Sequence, residues 1–143
     1  MSATANHLQI PNWPLRAASA VTIVNVLVSS GFAIAGLLAP RSILPADLVP
    51  TAAAAVFAAY AVSRALPIAG GVVWAVARRS SSLVATLGAI AGSVQVLDGV
   101  VGLLQGDPSK VIGPWAIAVL QFGTIVWLIG SQGRKGDNRP KAG

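Results

Sequence analysis

Four long apolar stretches, each cut off from the next by helix-ending residues, dominate the chain. They run approximately from Leu15 to Ala39, Thr51 to Ala77, Leu83 to Leu104 and Val111 to Gly130. A helix needs about 20 mostly apolar residues to cross a hydrocarbon layer of about 30 Å, and each stretch meets that length. Pro40, Pro45 and Pro50 close the first, Arg78, Arg79 and three serines the second, and Gly106, Asp107 and Pro108 the third. The pattern predicts an all-α integral membrane protein, a four-helix up-down bundle whose short loops make consecutive helices antiparallel neighbours. Residues 1–14 are then a cytoplasmic tail, 15–130 the transmembrane domain, and 131–143 a basic cytoplasmic tail, expected to be disordered and to rest on anionic headgroups. The first stretch reads as a retained span and not a signal peptide, because Pro11, Trp13 and Pro14 precede it, it is long, and no small-residue cleavage site follows.

Within each stretch, small and polar residues recur at intervals of three and four. The first carries Thr22, Asn25, Ser29, Phe32 and Gly36, and the second Phe57, Tyr60, Arg64, Pro67 and Gly71. The third carries Gly88, Gly92, Gln95, Gly99 and Gly102, and the fourth Pro114, Gln121 and Thr124. Lipid gains nothing from such side chains, so the four seams are predicted to face one another. Gly88 and Gly92 form a GxxxG pair, expected to serve close packing within the chain before dimerisation. Pro67 lacks an amide hydrogen, so it is predicted to free the carbonyl of Ser63 and to kink the second helix as a hinge.

Two ionisable residues, Arg64 and Asp98, lie inside adjacent spans. A charge at that depth costs several kcal/mol unless it finds a partner or water. Side chains lean toward the N-terminus of their own helix, which in antiparallel neighbours brings the two heads together. An Arg64–Asp98 ion pair inside the bundle is therefore expected, with Gln95 and Tyr60 one turn away as supporting groups. Asn25 and Gln121 complete the candidate intramembrane binding pocket. The pair has two readings: a fixed bridge that selects helix register, or a pocket in which Arg64 holds an anionic or carbonyl ligand, or Asp98 exchanges a proton.

A hydrophobic content of 55% and a mean hydropathy of +0.73 agree with a membrane protein. The formal net charge is +6, but the basic residues stand singly or at the ends of apolar stretches, which excludes a nucleic-acid face. Arg16, Arg78, Arg79, Arg134, Lys135, Arg139 and Lys141 fall on one side of an even-numbered bundle, and Arg41 and Lys110 on the other. Basic residues favour the cytoplasmic side, so both termini are expected in the cytoplasm of an inner-membrane protein. Trp13, Trp74 and Trp127 would then lie near the inner interface and Trp115 near the outer one. There is no cysteine, and the single histidine is His7 in the N-terminal tail. Neither thiol redox chemistry nor a bis-histidine haem can be built from this chain alone, and no metal or other cofactor is expected.

The stretch from Tyr60 to Gly113 has an arginine in the second span, then LPIAGGVVWAVARR, an aspartate in SVQVLDGVVGLLQGD, and a Gly-Pro pair opening the last span. In this it resembles small four-helix bacterial membrane proteins of the DoxX-like kind, and related families of unknown function. The resemblance implies association with quinone-dependent respiratory or oxidative-stress complexes, and makes Arg64 and Asp98 family features. It transfers no catalytic residue. Small multidrug exporters have the same size but depend on a glutamate in the first helix, where this chain has only Asn25. The four-helix vitamin K epoxide reductases need paired cysteines.

The expected role is a non-catalytic accessory or oligomeric component of a membrane complex, with the lipid bilayer and either copies of itself or larger subunits as partners. Two alternatives stand beside it. One is binding or proton-coupled transport of a hydrophobic small molecule in the intrabundle pocket. The other is a cofactor-free membrane isomerase or cyclase with Asp98 as general acid and Arg64 tuning it.

Overall fold

In the computed structural model the described residues are 12–44 and 48–137. They form four helices: α1 (Trp13–Leu38), α2 (Ala52–Ala77), α3 (Ser81–Leu104) and α4 (Ser109–Asp137), with a 3-10 turn at Pro40–Ser42 after α1. All four are long and apolar enough to cross a membrane. The expected N-terminal tail with His7, Pro45 and Asp47 between α1 and α2, and Arg139 and Lys141 of the C-terminal tail lie outside the described residues. One expectation is corrected: the segment after Gly130, expected to be disordered, continues α4 as helix to Asp137.

Local chemistry sets the helix ends. Pro14 occupies the first turn of α1, where its missing N–H costs nothing. Thr51 and Ser80 cap α2 and α3, their side-chain oxygens accepting from the amides of Ala54 and Leu83 at 3.2 and 3.4 Å. The two tight turns repeat one device. At the end of α2, Ser80 N–H donates to Ala75 O and Arg79 N–H to Val76 O, with Arg79 at φ 51°. At the end of α3, Asp107 N–H donates to Gly102 O and Gly106 N–H to Leu103 O, with Gly106 at φ 66°. Both are Schellman closures, which need a left-handed residue just past the helix. Glycine takes that conformation freely in the second; in the first, Arg79 takes it at a steric cost of about 1 kcal/mol.

The up-down arrangement is fixed by an apolar cluster of Ala18, Ala75, Val84 and Leu128, which joins the start of α1 and α3 to the end of α2 and α4. A second cluster, Val26, Val72 and Ala91 with Ile23, Ile68, Ala69, Val76 and Leu87, continues toward mid-bundle. Both lie in the half of the bundle that holds the helical termini, the start of α1 and the end of α4. Arg16 over Trp13 and Arg78 over Trp74, at 5.6 and 5.5 Å from the ring centres, mark that end.

The opposite end is held differently. Lys110 Nζ donates to Ile43 O at 3.1 Å and to Gln105 Oε1 at 3.0 Å, tying the loop after α1 to the start of α4. Asp107, 3.4 Å from Lys110 Nζ, accepts from Ser109 N–H and from its hydroxyl at 3.1 and 2.6 Å. The Ser109 hydroxyl above all, opposed by desolvation and aided by Lys110 and the Ser109 amide, holds the Asp107 carboxyl below its ordinary pKa.

α3 and α4 approach closely because α3 turns glycines toward its neighbours. A Cβ at Gly102 would stand 2.5 Å from the carbonyl oxygen of Lys110, and one at Gly99 would overlap the Trp115 indole. That Lys110 carbonyl is the one Pro114, four residues on, leaves without a helical donor. Gly102 therefore makes room for the backbone oxygen that the Gly-Pro opening of α4 exposes.

Candidate functional site

Three of the four seams meet, except that Phe32 of the first, expected inside, is 64% exposed. Thr22, Asn25, Gln95 and Gln121 are all buried, at 0, 0, 2 and 0% exposure. Their side chains form one continuous chain of hydrogen bonds across α1, α3 and α4. Thr22 Oγ1 donates to Ala18 O at 2.7 Å and accepts from Gln121 Nε2 at 2.8 Å. Gln121 Oε1 accepts from Asn25 Nδ2 at 3.2 Å, and Asn25 Oδ1 accepts from Gln95 Nε2 at 2.7 Å. The Gln95 amide also reaches Ser29 Oγ at 3.1 Å.

Gly88 gives this chain its space. A Cβ there would lie 2.6 Å from Gln121 Nε2 and 3.0 Å from Thr22 Oγ1, and one at Gly92 would crowd Gln121 and Phe122 at 3.1 Å. The GxxxG pair is thus spent on packing within the chain. Every group in the network is neutral, and Asn25 sits at its centre with one bond to each amide neighbour. Such a network holds no carboxyl, imidazole or amine, and no charge with which to draw in an ion. Its chemistry is that of a specific lock on helix register in a low-dielectric interior.

The α2 seam is the correction. Its inward face carries Ile68, Ala69, Val72, Ala75 and Val76, whereas Phe57 and Tyr60 are 74 and 57% exposed, and Arg64 and Pro67 lie on the surface with them. Asp98 on α3 is exposed as well. The expected buried Arg64–Asp98 ion pair is not formed, and Lys110–Asp107 is the salt bridge among the described residues. Gln95 and Tyr60, expected to flank such a pair, are separated likewise, Gln95 going to Asn25 and Ser29 in the interior. The reason is in the packing of α2. Its buried residues are Val72 and Ala75, both in the half near the termini, and in its first half Ala58 stands beside Gly36 of α1. Meanwhile the last turns of α3 are drawn against Trp115 and Lys110 of α4.

α2 runs as one helix through Pro67. Because proline has no N–H, the carbonyl of Ser63 lacks its helical donor, and Ser63 is exposed, as Arg64 and Tyr60 are. The site that emerges has two parts: a sealed neutral lock inside, and outside it, within the apolar spans, an unpaired cation, an unpaired anion and a carbonyl without its donor. Two shallow apolar depressions lie elsewhere, one along Val96, Trp115, Val119 and Phe122 and one beside Leu103 and Ile112.

Ser29 of the lock was legible as a member of the α1 seam. Ser30 was not: its hydroxyl is buried without a hydrogen-bond partner, one position off the seam's period. Comparison with known protein families, curated proteins and solved structures gives no match, so the resemblance to DoxX-like proteins rests on the residues that suggested it.

Proposed function

We propose that the chain is a non-catalytic subunit of a membrane assembly, a small rigid bundle that uses the outward side of α2 and the adjoining side of α3 to bind protein. The single observation that carries this is the position of Arg64 and Asp98. Arg64 is at the midpoint of a 26-residue span, and Asp98 is six residues, about 9 Å, from the end of α3. Both are exposed on the bundle and unpaired within it. On insertion scales a bare charge at the bilayer centre, as at Arg64, costs about 3 kcal/mol, and Asp98 nearer the interface and the Ser63 carbonyl add to this, so lipid is a poor cover for this side. Protein supplies what lipid lacks.

The neutral lock favours this reading over a transport or enzymatic site in the interior, because its side chains are buried, uncharged and bonded to one another. A subunit role also fits what the DoxX-like resemblance implies. The excess of basic residues at the end that holds the termini orients both termini toward the cytoplasm in this reading.

The test is purification of the tagged chain from membranes in mild detergent. The expected result is a complex of fixed stoichiometry, either of this chain alone or with other subunits, that dissociates when Arg64→Leu or Asp98→Leu is introduced. A single chain carrying only lipid, unchanged by either substitution, would overturn the proposal.

A further inference from the structure

Resting on the reading of this side as a protein-binding surface, we infer that its occupant is a second copy of the same chain, docked about a two-fold axis normal to the membrane through two reciprocal Arg64–Asp98 pairs. The register of α2 against α3 carries the inference. A Cβ at Gly71 would stand 3.5 Å from Leu87, which sets these two residues level in the antiparallel pair. From that level Arg64 lies seven residues back along α2, about 10 Å, and Asp98 eleven residues on along α3, about 16 Å, both toward the end opposite the termini. The remaining 6 Å or so is closed by the side chains, since Arg64 leans toward Tyr60 and Asp98 toward Val94.

Gly71, Arg64 and Tyr60 stand on one column of α2, and Leu87, Val94 and Asp98 on one column of α3, so the two charges border the same open side of the bundle. A two-fold axis normal to the membrane keeps every residue at its own depth. In an isologous contact residue i meets residue j and j meets i. A cation and an anion at one depth on one face are the arrangement such an axis turns into two ion pairs at once. A single larger subunit could match each charge separately, but nothing in that case would call for the two to share a depth and carry opposite sign.

The chain has no cysteine, so single cysteines can be introduced without background. Two differently tagged copies are co-expressed, one with Tyr60→Cys and the other with Val101→Cys, each one turn beyond a charge on its own helix, and oxidised in native membranes. The expected product joins both tags at twice the 14.4 kDa chain mass. Leu27→Cys with Val126→Cys, on outward faces away from the proposed contact, should give none. Arg64→Asp in both copies should lower the yield about tenfold, the change that 1.4 kcal/mol makes in an equilibrium constant. Arg64→Asp combined with Asp98→Arg should restore it.

Absence of the inter-tag product while a different subunit co-purifies in an Arg64-dependent way would overturn the dimer and leave the subunit reading standing. Absence of both would overturn both. If a chain carrying both cysteines links only within itself, the charges close inside one copy, and the dimer is overturned on that ground.

Discussion

Gly102→Ala is expected to cost about 3 kcal/mol of bundle stability, the upper part of the usual range for inserting a methyl into close-packed structure. The obstacle is backbone: the new Cβ would meet the Lys110 carbonyl oxygen at 2.5 Å and the Val111 nitrogen at 3.0 Å. No rotamer change relieves such a contact, so α3 and α4 must separate. A methyl added at Gly113 or Gly123 of α4 would have nothing within 4 Å, and these alanine variants serve as controls, gaining up to about 1 kcal/mol of helix propensity. Equilibrium unfolding in mixed micelles reads both effects. Equal stability of Gly102→Ala and Gly113→Ala would mean that α3 and α4 do not approach as described.

The second large effect is expected at Asn25. Asn25→Leu removes the acceptor of Gln95 and the donor of Gln121 in one change, leaving two buried amides half-satisfied. Stranding a buried polar group costs about 1–3 kcal/mol, and hydrogen bonds between membrane helices contribute about 0.6 kcal/mol each, so a loss of about 2 kcal/mol is expected. The combined Asn25→Leu, Gln95→Leu and Gln121→Leu variant should recover much of that loss, because no amide is then left unpaired. Thr22 still donates to Ala18 O in that variant. The same unfolding measurement decides it: a triple variant whose losses simply add would show that the three side chains do not act as one chain of bonds.

The spans were legible because hydropathy and helix breakers are local properties, and the ends of α1, α2 and α3 fall within about two residues of their expected places. The polar lock was legible too, since Thr22, Asn25, Ser29, Gln95 and Gln121 recur at helical spacing in otherwise apolar stretches, and buried amides need partners. What misleads is α2. Phe57, Tyr60, Arg64 and Pro67 keep helical spacing as faithfully as the inward seams do, and periodicity identifies a face without saying what the face meets. The inward side of α2, with Ala58, Ile68, Ala69, Val72 and Val76, is merely apolar and gives no contrast to lipid. The depth at which Arg64 and Asp98 stand follows from helix geometry, but not that both are left outside one copy. The extension of α4 to Asp137 is hidden by Gly130, Gly133 and Gly136, which weaken helix propensity without forbidding it.

Whether protein or lipid covers the outward side of α2 is read by spin labels on single cysteines in lipid nanodiscs, through collision with dissolved oxygen, which concentrates in the acyl chains. Labels at Leu27 and Val126, 64 and 70% exposed, report lipid contact. A label at Tyr60, 57% exposed on the isolated bundle, is expected to show markedly fewer collisions than either and to approach theirs when Arg64→Leu and Asp98→Leu are added. A Tyr60 label that meets oxygen as often as those at Leu27 and Val126 in the unaltered background would contradict cover by protein.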